Sequence, residues 1–484
     1  MRAAHRIAGN TGVIVIGRML GLGISLATVF LLTANLTKAD FGTYNFVFVY
    51  IGIFSVVTEM GMSPVLVREM ARHRDRAGDI LGTGILLKCA FAVISFLLAL
   101  LLLPAIREGE ILLRLVFILG FQLFAYPILT CMNIFKIELK MIYPVSLDLA
   151  RNAIYLGAVW YVVQTPRLGL EHLLALAVVS SFAVAATMYW LSLRYVKIRL
   201  VFLPDLARRL VRASIPLGLS QLAIICYYRV DTMMLMRMKG EEAVGYYSLA
   251  VKISEVFSYL PSAFMVSVYP FLSRFWHESR EKFLEATELS LRSLLALALP
   301  IGIIGCLFAR QILSVVPGGY AASAGSLVYL IWAEVFIFLN VVLYNVMNAM
   351  NQERWNLWTT LIMLTGNIAL NLHLIPRYSH PGASLATLTT EAIGFLILGT
   401  TMLILVGFQL DLGRMLRTAA AGGALAGGLA LFVRGRAIGL PEAILLAALG
   451  ALLYTGLLYL LRVIDIQELK RLLLDRPQDS ERQP

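Results

Sequence analysis

Twelve ionisable side chains fall inside stretches apolar enough to lie in a bilayer: Arg18, Lys88, Arg151, Arg229, Lys252 and Arg310, with Glu59, Asp148, Asp231, Glu255, Glu334 and Glu391. Facing lipid near the midplane they would cost about 3 kcal/mol each, on the order of 36 kcal/mol together, so most must pair, snorkel or face a polar cavity. Their spacing indicates which. At 100° per residue Thr11, Gly21 and Ser25 fall near Arg18 on a helix, forming a polar stripe. A guanidinium there offers two parallel donors to a diphosphate or acidic sugar. The competing reading is a packing face from Gly17 to Gly21, with Arg18 reaching the membrane interface. Ser248, Lys252, Glu255, Tyr259 and Ser262 are spaced 4, 3, 4 and 3 apart, one helical face broken by Pro261, on which Lys252 and Glu255 can pair. Such a pair either locks helix packing or binds cargo in one state and exchanges partners or a proton in another. Ser214, Gln221, Tyr228 and Thr232 share a further face, flanked on opposite sides by Arg229 and Asp231. Glu334, Asn345 and Asn348 share another, and Thr387, Thr390 and Glu391 cluster. Asp148 and Arg151 suit a mutual pair, and Glu59 and Lys88, each in the inner part of its helix, can meet. The candidate cavity residues are therefore Arg18, Ser25, Glu59, Lys88, Gln221, Tyr228, Arg229, Asp231, Lys252, Glu255, Tyr259, Glu334, Asn345 and Glu391.

The elements that must hold these groups are transmembrane helices. Of 484 residues 59% are apolar and 14% charged, and the mean hydropathy is +0.80, which leaves no room for a large soluble catalytic domain. Apolar runs occur near 11–33, 42–65, 81–104, 113–135, 144–164, 172–193, 213–236, 244–271, 293–313, 323–350, 355–375, 383–407, 418–433 and 441–461, predicting an all-α polytopic protein of about 14 helices. The first run is too long for a signal peptide and lacks a small-x-small cleavage site, so it counts as a span. With the N-terminus placed inside, inner segments carry 26 Lys and Arg and outer segments nine. That bias predicts both termini in the cytoplasm and accounts for the net charge of +12 without nucleic acid.

The expected organisation is a six-helix lobe over 1–193, an interfacial linker helix over 194–212, a second, pseudo-symmetric six-helix lobe over 213–407, two further helices over 408–461 and an amphipathic cytoplasmic tail over 462–484. Pro204-Asp205 suits the linker helix's start. A faint repeat links the lobes: Ala39-Asp40-Phe41-Gly42-Thr43-Tyr44 and Glu242-Ala243-Val244-Gly245-Tyr246-Tyr247, at an offset of 203, each start the second helix of a lobe. Parallel repeats of this kind occur in transporters that rock one half against the other.

Several motifs carry a more specific likeness. Gly17-Arg18-Met19-Leu20-Gly21, the Ala39 to Tyr44 stretch, Thr58-Glu59-Met60-Gly61-Met62 and Leu66-Val67-Arg68-Glu69-Met70-Ala71-Arg72 resemble the opening of polysaccharide (O-antigen) flippases. These belong to the multidrug, oligosaccharidyl-lipid and polysaccharide exporter superfamily. Arg229-Val230-Asp231, Ala243 to Tyr247, Pro270, Leu374-Ile375-Pro376-Arg377-Tyr378 and Gly382-Ala383-Ser384-Leu385-Ala386-Thr387 extend the resemblance over roughly 10–405. It departs at Glu59, where the family more often has Asp, and at Ser379-His380-Pro381, which replaces a usual glycine. The resemblance implies a multi-pass protein of the inner (plasma) membrane that moves a polyprenyl-diphosphate-linked oligosaccharide between leaflets by alternating access. Its implied partners are that glycolipid, membrane lipids and a polysaccharide polymerase, with the chain itself a monomer.

No GxxxxGK[ST] loop occurs, so ATP hydrolysis by this chain is not expected. The four cysteines and six histidines show no metal-ligand spacing, and neither metal nor cofactor is expected. An enzyme acting on the same lipid carrier would need catalytic acids on a substantial outer loop, whereas every predicted outer loop is about a dozen residues or fewer. The closer rivals are a cation-coupled drug or metabolite antiporter, whose cavity would favour carboxylates, and a lipid II flippase.

Overall fold

The computed structural model describes residues 2–165, 169–408, 411–434, 436, 438–461 and 463, with side chains from Gly12 onward except those of Val15 and Leu412. Of the described residues 88% are helical, and none lies in a strand. Lipid offers no hydrogen bonds to a backbone, so a chain this apolar must satisfy its N–H and C=O groups within each helix. In order the helices are α1 (Arg2–Asn35), α2 (Lys38–Glu59), α3 (Met62–Arg72), α4 (Ala77–Ile106), α5 (Glu110–Gly120), α6 (Ala125–Leu129), α7 (Met132–Ile137), α8 (Ile142–Val163), α9 (Leu170–Ser192) and α10 (Pro204–Lys239). There follow α11 (Glu241–Ser254), α12 (Tyr259–Glu278), α13 (Arg280–Leu307), α14 (Ala309–Ser314), α15 (Ala324–Ala349), α16 (Glu353–Tyr378), α17 (His380–Val406), α18 (Leu412–Val433) and α19 (Leu440–Leu460).

Among the described residues thirteen helical stretches are long and apolar enough to cross a membrane, and the protein is a multi-pass membrane protein. The expected fourteenth is α8. Its 22 residues would extend about 33 Å, but Asp148, Arg151 and Asn152 dilute its hydropathy. Asp148 and Arg151 do pair, Nη2 to Oδ1 at 2.6 Å. The expected tail over 462–484, apart from Val463, and the Thr11 side chain lie outside the described residues.

The region between the sixth and seventh runs differs from expectation. Residues 196–203 are not helical. Pro204 does start a helix, but that helix continues without interruption past Pro216 to Lys239, 36 residues in all. From Pro204 on, the polar stretch before Ala213 is therefore the first part of α10 rather than a separate linker helix. The run over 244–271 is likewise divided. Residues 255–258 form a turn between α11 and α12, with three-residue bonds such as Ser258 N to Glu255 O at 3.2 Å. Pro261, which lacks an N–H and whose ring crowds the carbonyl four residues back at Phe257, explains a break one turn earlier than itself.

Two compact units divide the chain. One comprises Met1–Ser248, Val316–Gly318 and Ile368–His380; the other comprises Leu249–Val315, Gly319–Asn367 and Pro381–Pro484. In the first, Met62, Leu66, Met70, Leu81, Leu206 and Leu210 form a core from α3, α4 and α10. In the second, Phe275, Phe283, Phe338, Leu343, Met347 and Leu398 pack α12, α13, α15 and α17 together, while Ala421, Leu425 and Tyr454 of α18 and α19 pack with Ile303 of α13. Large apolar side chains elsewhere point outward, among them Leu452, Leu453 and Leu460 of α19. Since lipid is as apolar as leucine, close packing and interhelical hydrogen bonds hold such helices together.

Glycines set the closest approaches in the first unit. A Cβ on Gly42 of α2 would stand 1.9 Å from the Glu241 carbonyl oxygen and 2.8 Å from the Gly245 nitrogen, and a Cβ on Gly245 of α11 would stand 2.2 Å from the Lys38 carbonyl oxygen. Lys38 and Glu241, like Gly42 and Gly245, are 203 residues apart, so the two repeat segments meet each other through equivalent positions.

Candidate functional site

Glu59 lies at the last position of α2. Met60 and Gly61 then take left-handed φ of 42° and 65°, a turn that permits α3 to start at once. A Cβ on Gly61 would come 2.6 Å from the Gly218 nitrogen of α10, so this glycine is required by both conformation and proximity. The turn brings the Ser63 N–H to Glu59 Oε1 at 3.0 Å. On the other carboxylate oxygen, Lys88 Nζ of α4 donates at 2.5 Å. Lys88 also donates to Ser63 Oγ at 3.2 Å, and Asn133 Nδ2 of α7 donates to the same hydroxyl at 3.1 Å. Lys88 is wholly buried. An ammonium in that position is tolerable only because a carboxylate and a hydroxyl replace its water.

Asp231, buried in α10, is held by two donors from distant elements. Tyr247 Oη of α11 donates to Oδ2 at 2.7 Å, and Asn371 Nδ2 of α16 donates to Oδ1 at 2.5 Å. Arg229, on the other side of α10, is half-buried, whereas Gln221 and Tyr228 are exposed. Arg18 and Ser25 are exposed on α1. The glycines beside Arg18 pack on α8: a Cβ on Gly17 would overlap Val145, and one on Gly21 would touch Leu149 and Asn152.

At the N-terminal ends of α2 and α11 a polar collar surrounds the glycine contact. Arg107 Nη2 lies 3.2 Å from Glu241 Oε1, Arg237 donates to the Ala105 carbonyl, and Lys239 Nζ donates to the Pro376 carbonyl at 2.9 Å. The Tyr246 and His380 rings lie 5.3 Å apart.

In the second unit, Glu334 of α15 is buried and meets the turn between α11 and α12. Ser258 Oγ lies 2.8 and 2.7 Å from its two oxygens. Lys252 falls in the last turn of α11 and Glu255 in the turn itself, both half-buried. The helical face expected to continue from them to Tyr259 is thus interrupted, and Tyr259 is exposed on α12. Glu391 of α17 is buried, with Asn340 Nδ2 donating to its Oε2 at 2.8 Å and to its backbone carbonyl at 3.0 Å. Gly394, one turn on, makes room for Met363 of α16, since a Cβ there would sit 2.5 Å from the Met363 sulfur. Asn345 donates to Val341 O within its own helix at 2.7 Å.

The buried acids are therefore each gripped by a named donor, whereas Arg18, Gln221, Tyr228 and Tyr259 are exposed. Sequence reasoning did not single out Ser63, Asn133, Ser258, Asn340 or Asn371. The available signal was the amide itself, because an asparagine in an apolar run must find a hydrogen-bond partner.

Two family models match the chain: one described as Polysaccharide biosynthesis protein, over residues 7–276, and one described as MatE, over residues 216–373. A probable flippase, AglR, of Haloferax volcanii is 27% identical over 191 residues, covering 37% of this chain and 38% of that protein. The match thus spans well under half of the curated relative. Among solved structures, the lipid II flippase MurJ in an inward closed conformation superposes with a TM-score of 0.77 over 94% of this chain and 99% of its own, at 15% identity. An inward-facing multidrug resistance MATE family transporter of the MOP superfamily superposes with a TM-score of 0.62 over 79% and 94%, at 16% identity. At these identities the superpositions establish the fold.

Proposed function

We propose that this chain, which belongs to the polysaccharide biosynthesis protein family, is a flippase that carries a polyprenyl-diphosphate-linked oligosaccharide, an O-antigen or exopolysaccharide repeat unit, from the inner to the outer leaflet of the cell's inner membrane. The observation that carries the reading is the contact of repeat-related helices at Gly42 and Gly245 in a chain of this family. Two equivalent segments meeting through glycines form a closure that can part without breaking a covalent or buried charged link. Alternating access needs such a closure at each end of a path. The positive-inside bias assigns the Gly42 end to the outer face.

On this reading the cargo is an anion that needs donors. Arg18, Gln221, Tyr228, Arg229, Lys252 and Tyr259 supply guanidinium, amide, phenol and ammonium groups on spans, and Arg18 is the diphosphate ligand. Glu59, Lys88, Asp231, Glu334 and Glu391 hold the helices in register and exchange partners as the lobes rock. The chain acts as a monomer, as a carrier rather than an enzyme, and passes its product to a polymerase.

The test is a leaflet assay in cells with and without the protein. Intact spheroplasts are treated with a lectin or glycosidase that reaches only outer-leaflet glycans, and the lipid-linked oligosaccharides are then extracted. Loss of the protein should leave complete glycolipid protected inside. Normal exposure of the glycolipid would refute the assignment.

A second reading has its own support. The MatE match covers Asp231 and Glu334, and buried carboxylates suit a cation-coupled drug or metabolite antiporter of the same superfamily. Cation efflux from vesicles loaded with an organic cation separates it from the flippase.

A further inference from the structure

A groove of about 610 Å³ runs beside the start of α10, apart from the buried clusters described above. Leu87 of α4, Phe202 of the segment before α10, and Val211 and Ile215 of α10 are among its apolar walls, and Arg208 and Arg212 are its charged lining. Four residues apart, the two arginines share one face of the helix. Both are exposed, and neither has an ion-pair partner among the described residues, Asp205 included.

The wall formed by residues 196–202 is built into the fold. It lies over two glycines of α4: a Cβ on Gly78 would come 2.0 Å from the Lys197 carbonyl oxygen, and one on Gly82 would come 1.8 Å from that of Arg199. Thr83 Oγ1 donates to the Val201 carbonyl at 2.8 Å. So fastened, the segment presents Leu200, Val201 and Phe202 outward, 60%, 43% and 54% exposed. Three exposed large apolar residues beside two unpaired guanidiniums, where a spanning helix leaves the bilayer, describe a surface that is half lipid-like and half phosphate-seeking. A water-soluble anion would leave the apolar walls uncovered, and an apolar chain alone would leave the arginines unused.

We infer that this groove binds an anionic phospholipid of the surrounding membrane, its phosphate between Arg208 and Arg212 and an acyl chain along Leu87, Phe202 and Ile215. The volume is of the size that holds a small amphiphile. The site does not depend on what the protein transports.

The test uses the full-length protein purified in a neutral detergent. Native mass spectrometry counts retained lipid, and titration compares phosphatidylglycerol with phosphatidylcholine of the same chains. Phosphatidylglycerol should be retained preferentially. The double substitution Arg208→Ala and Arg212→Ala should weaken it roughly ten- to thirtyfold, and Ile215→Trp, which narrows the groove at an exposed wall position, should weaken it with both charges in place. Arg209→Ala, whose side chain does not line the groove, should leave binding unchanged. Equal retention of the two lipids, or an Arg209→Ala effect as large as the double substitution, would overturn the proposal in favour of diffuse surface charge. Competition by glycerol phosphate as effective as the whole lipid would reduce the groove to an anion site. Displacement by a polyprenyl phosphate at lower concentration than phosphatidylglycerol would assign it to cargo instead. None of these readouts involves transport, so their failure leaves the flippase reading standing.

Discussion

Replacing Gly42 by alanine should open the N-terminal ends of α2 and α11. The added Cβ would stand 1.9 Å from the Glu241 carbonyl oxygen and 2.8 Å from both the Glu241 carbonyl carbon and the Gly245 nitrogen. Those neighbours are backbone, with no rotamer to move aside. An ordinary carbon–oxygen contact is above about 3 Å, so the helices must separate by at least about 1 Å at the crossing. Overpacking of this size costs roughly 1–3 kcal/mol, which lowers the ratio of closed to open states by about five- to 150-fold. The helix-propensity gain of Gly→Ala, about 1 kcal/mol, is present in both states and cancels from that ratio. Gly52 provides the control: it lies on the same helix, and a Cβ there would meet nothing within 4 Å.

The assay is thiol labelling. Ser248 is buried on α11, 6% exposed and one turn beyond Gly245. Ser248→Cys in a background lacking the four native cysteines reports whether the helix ends are apart. A membrane-impermeant maleimide applied on the side faced by those ends should react about tenfold faster when Gly42→Ala is present, with Gly52→Ala matching the parent. Equal rates in all three proteins would refute the view that the glycine contact is the closure.

Three further outcomes follow from the same contacts. Lys88→Ala leaves Glu59 without its cation and should destabilise the protein by about 3–5 kcal/mol, seen as a lowered Tm in detergent, whereas Lys88→Met with Glu59→Met together should recover most of the loss; equal losses would show that the pair is not the reason. Asn371→Leu removes a donor from buried Asp231 and should cost about 1–3 kcal/mol, and in an Asp231→Leu background the same substitution should cost much less. Gly82→Val should dislodge the segment that carries Lys197 and Arg199, so limited trypsin digestion there should accelerate while Gly157→Val, at a position with nothing within 4 Å, leaves the rate unchanged.

Hydropathy made the spans legible because each helix must be apolar along its own length, and that is a local property. Two ion pairs were also legible: Asp148 with Arg151, since they share a helix face, and Glu59 with Lys88, since both sit at the same depth of neighbouring spans. The offset of 203 located Gly42 and Gly245, although their mutual contact is tertiary. Asp231 and Asn371, 140 residues apart, illustrate what stays hidden. Nothing in either local sequence encodes which helices become neighbours. The first turns of α10 look like a separate helix in the sequence because a polar stretch marks a fall in hydropathy, not the end of a helix. The run over 244–271 reads as one span with a helical face broken by Pro261, whereas the chain turns at 255–258, because a proline disrupts the turn before it.

The central claim is tested most directly by reconstitution. The purified protein is placed in liposomes containing a fluorescent polyprenyl-diphosphate oligosaccharide in both leaflets, and an impermeant quencher is added outside. Liposomes with the protein should lose the protected, inner-leaflet fluorescence, and Arg18→Ala should slow that loss. If the inner-leaflet signal stays protected with the protein present, as it does in protein-free liposomes, the flippase account is contradicted.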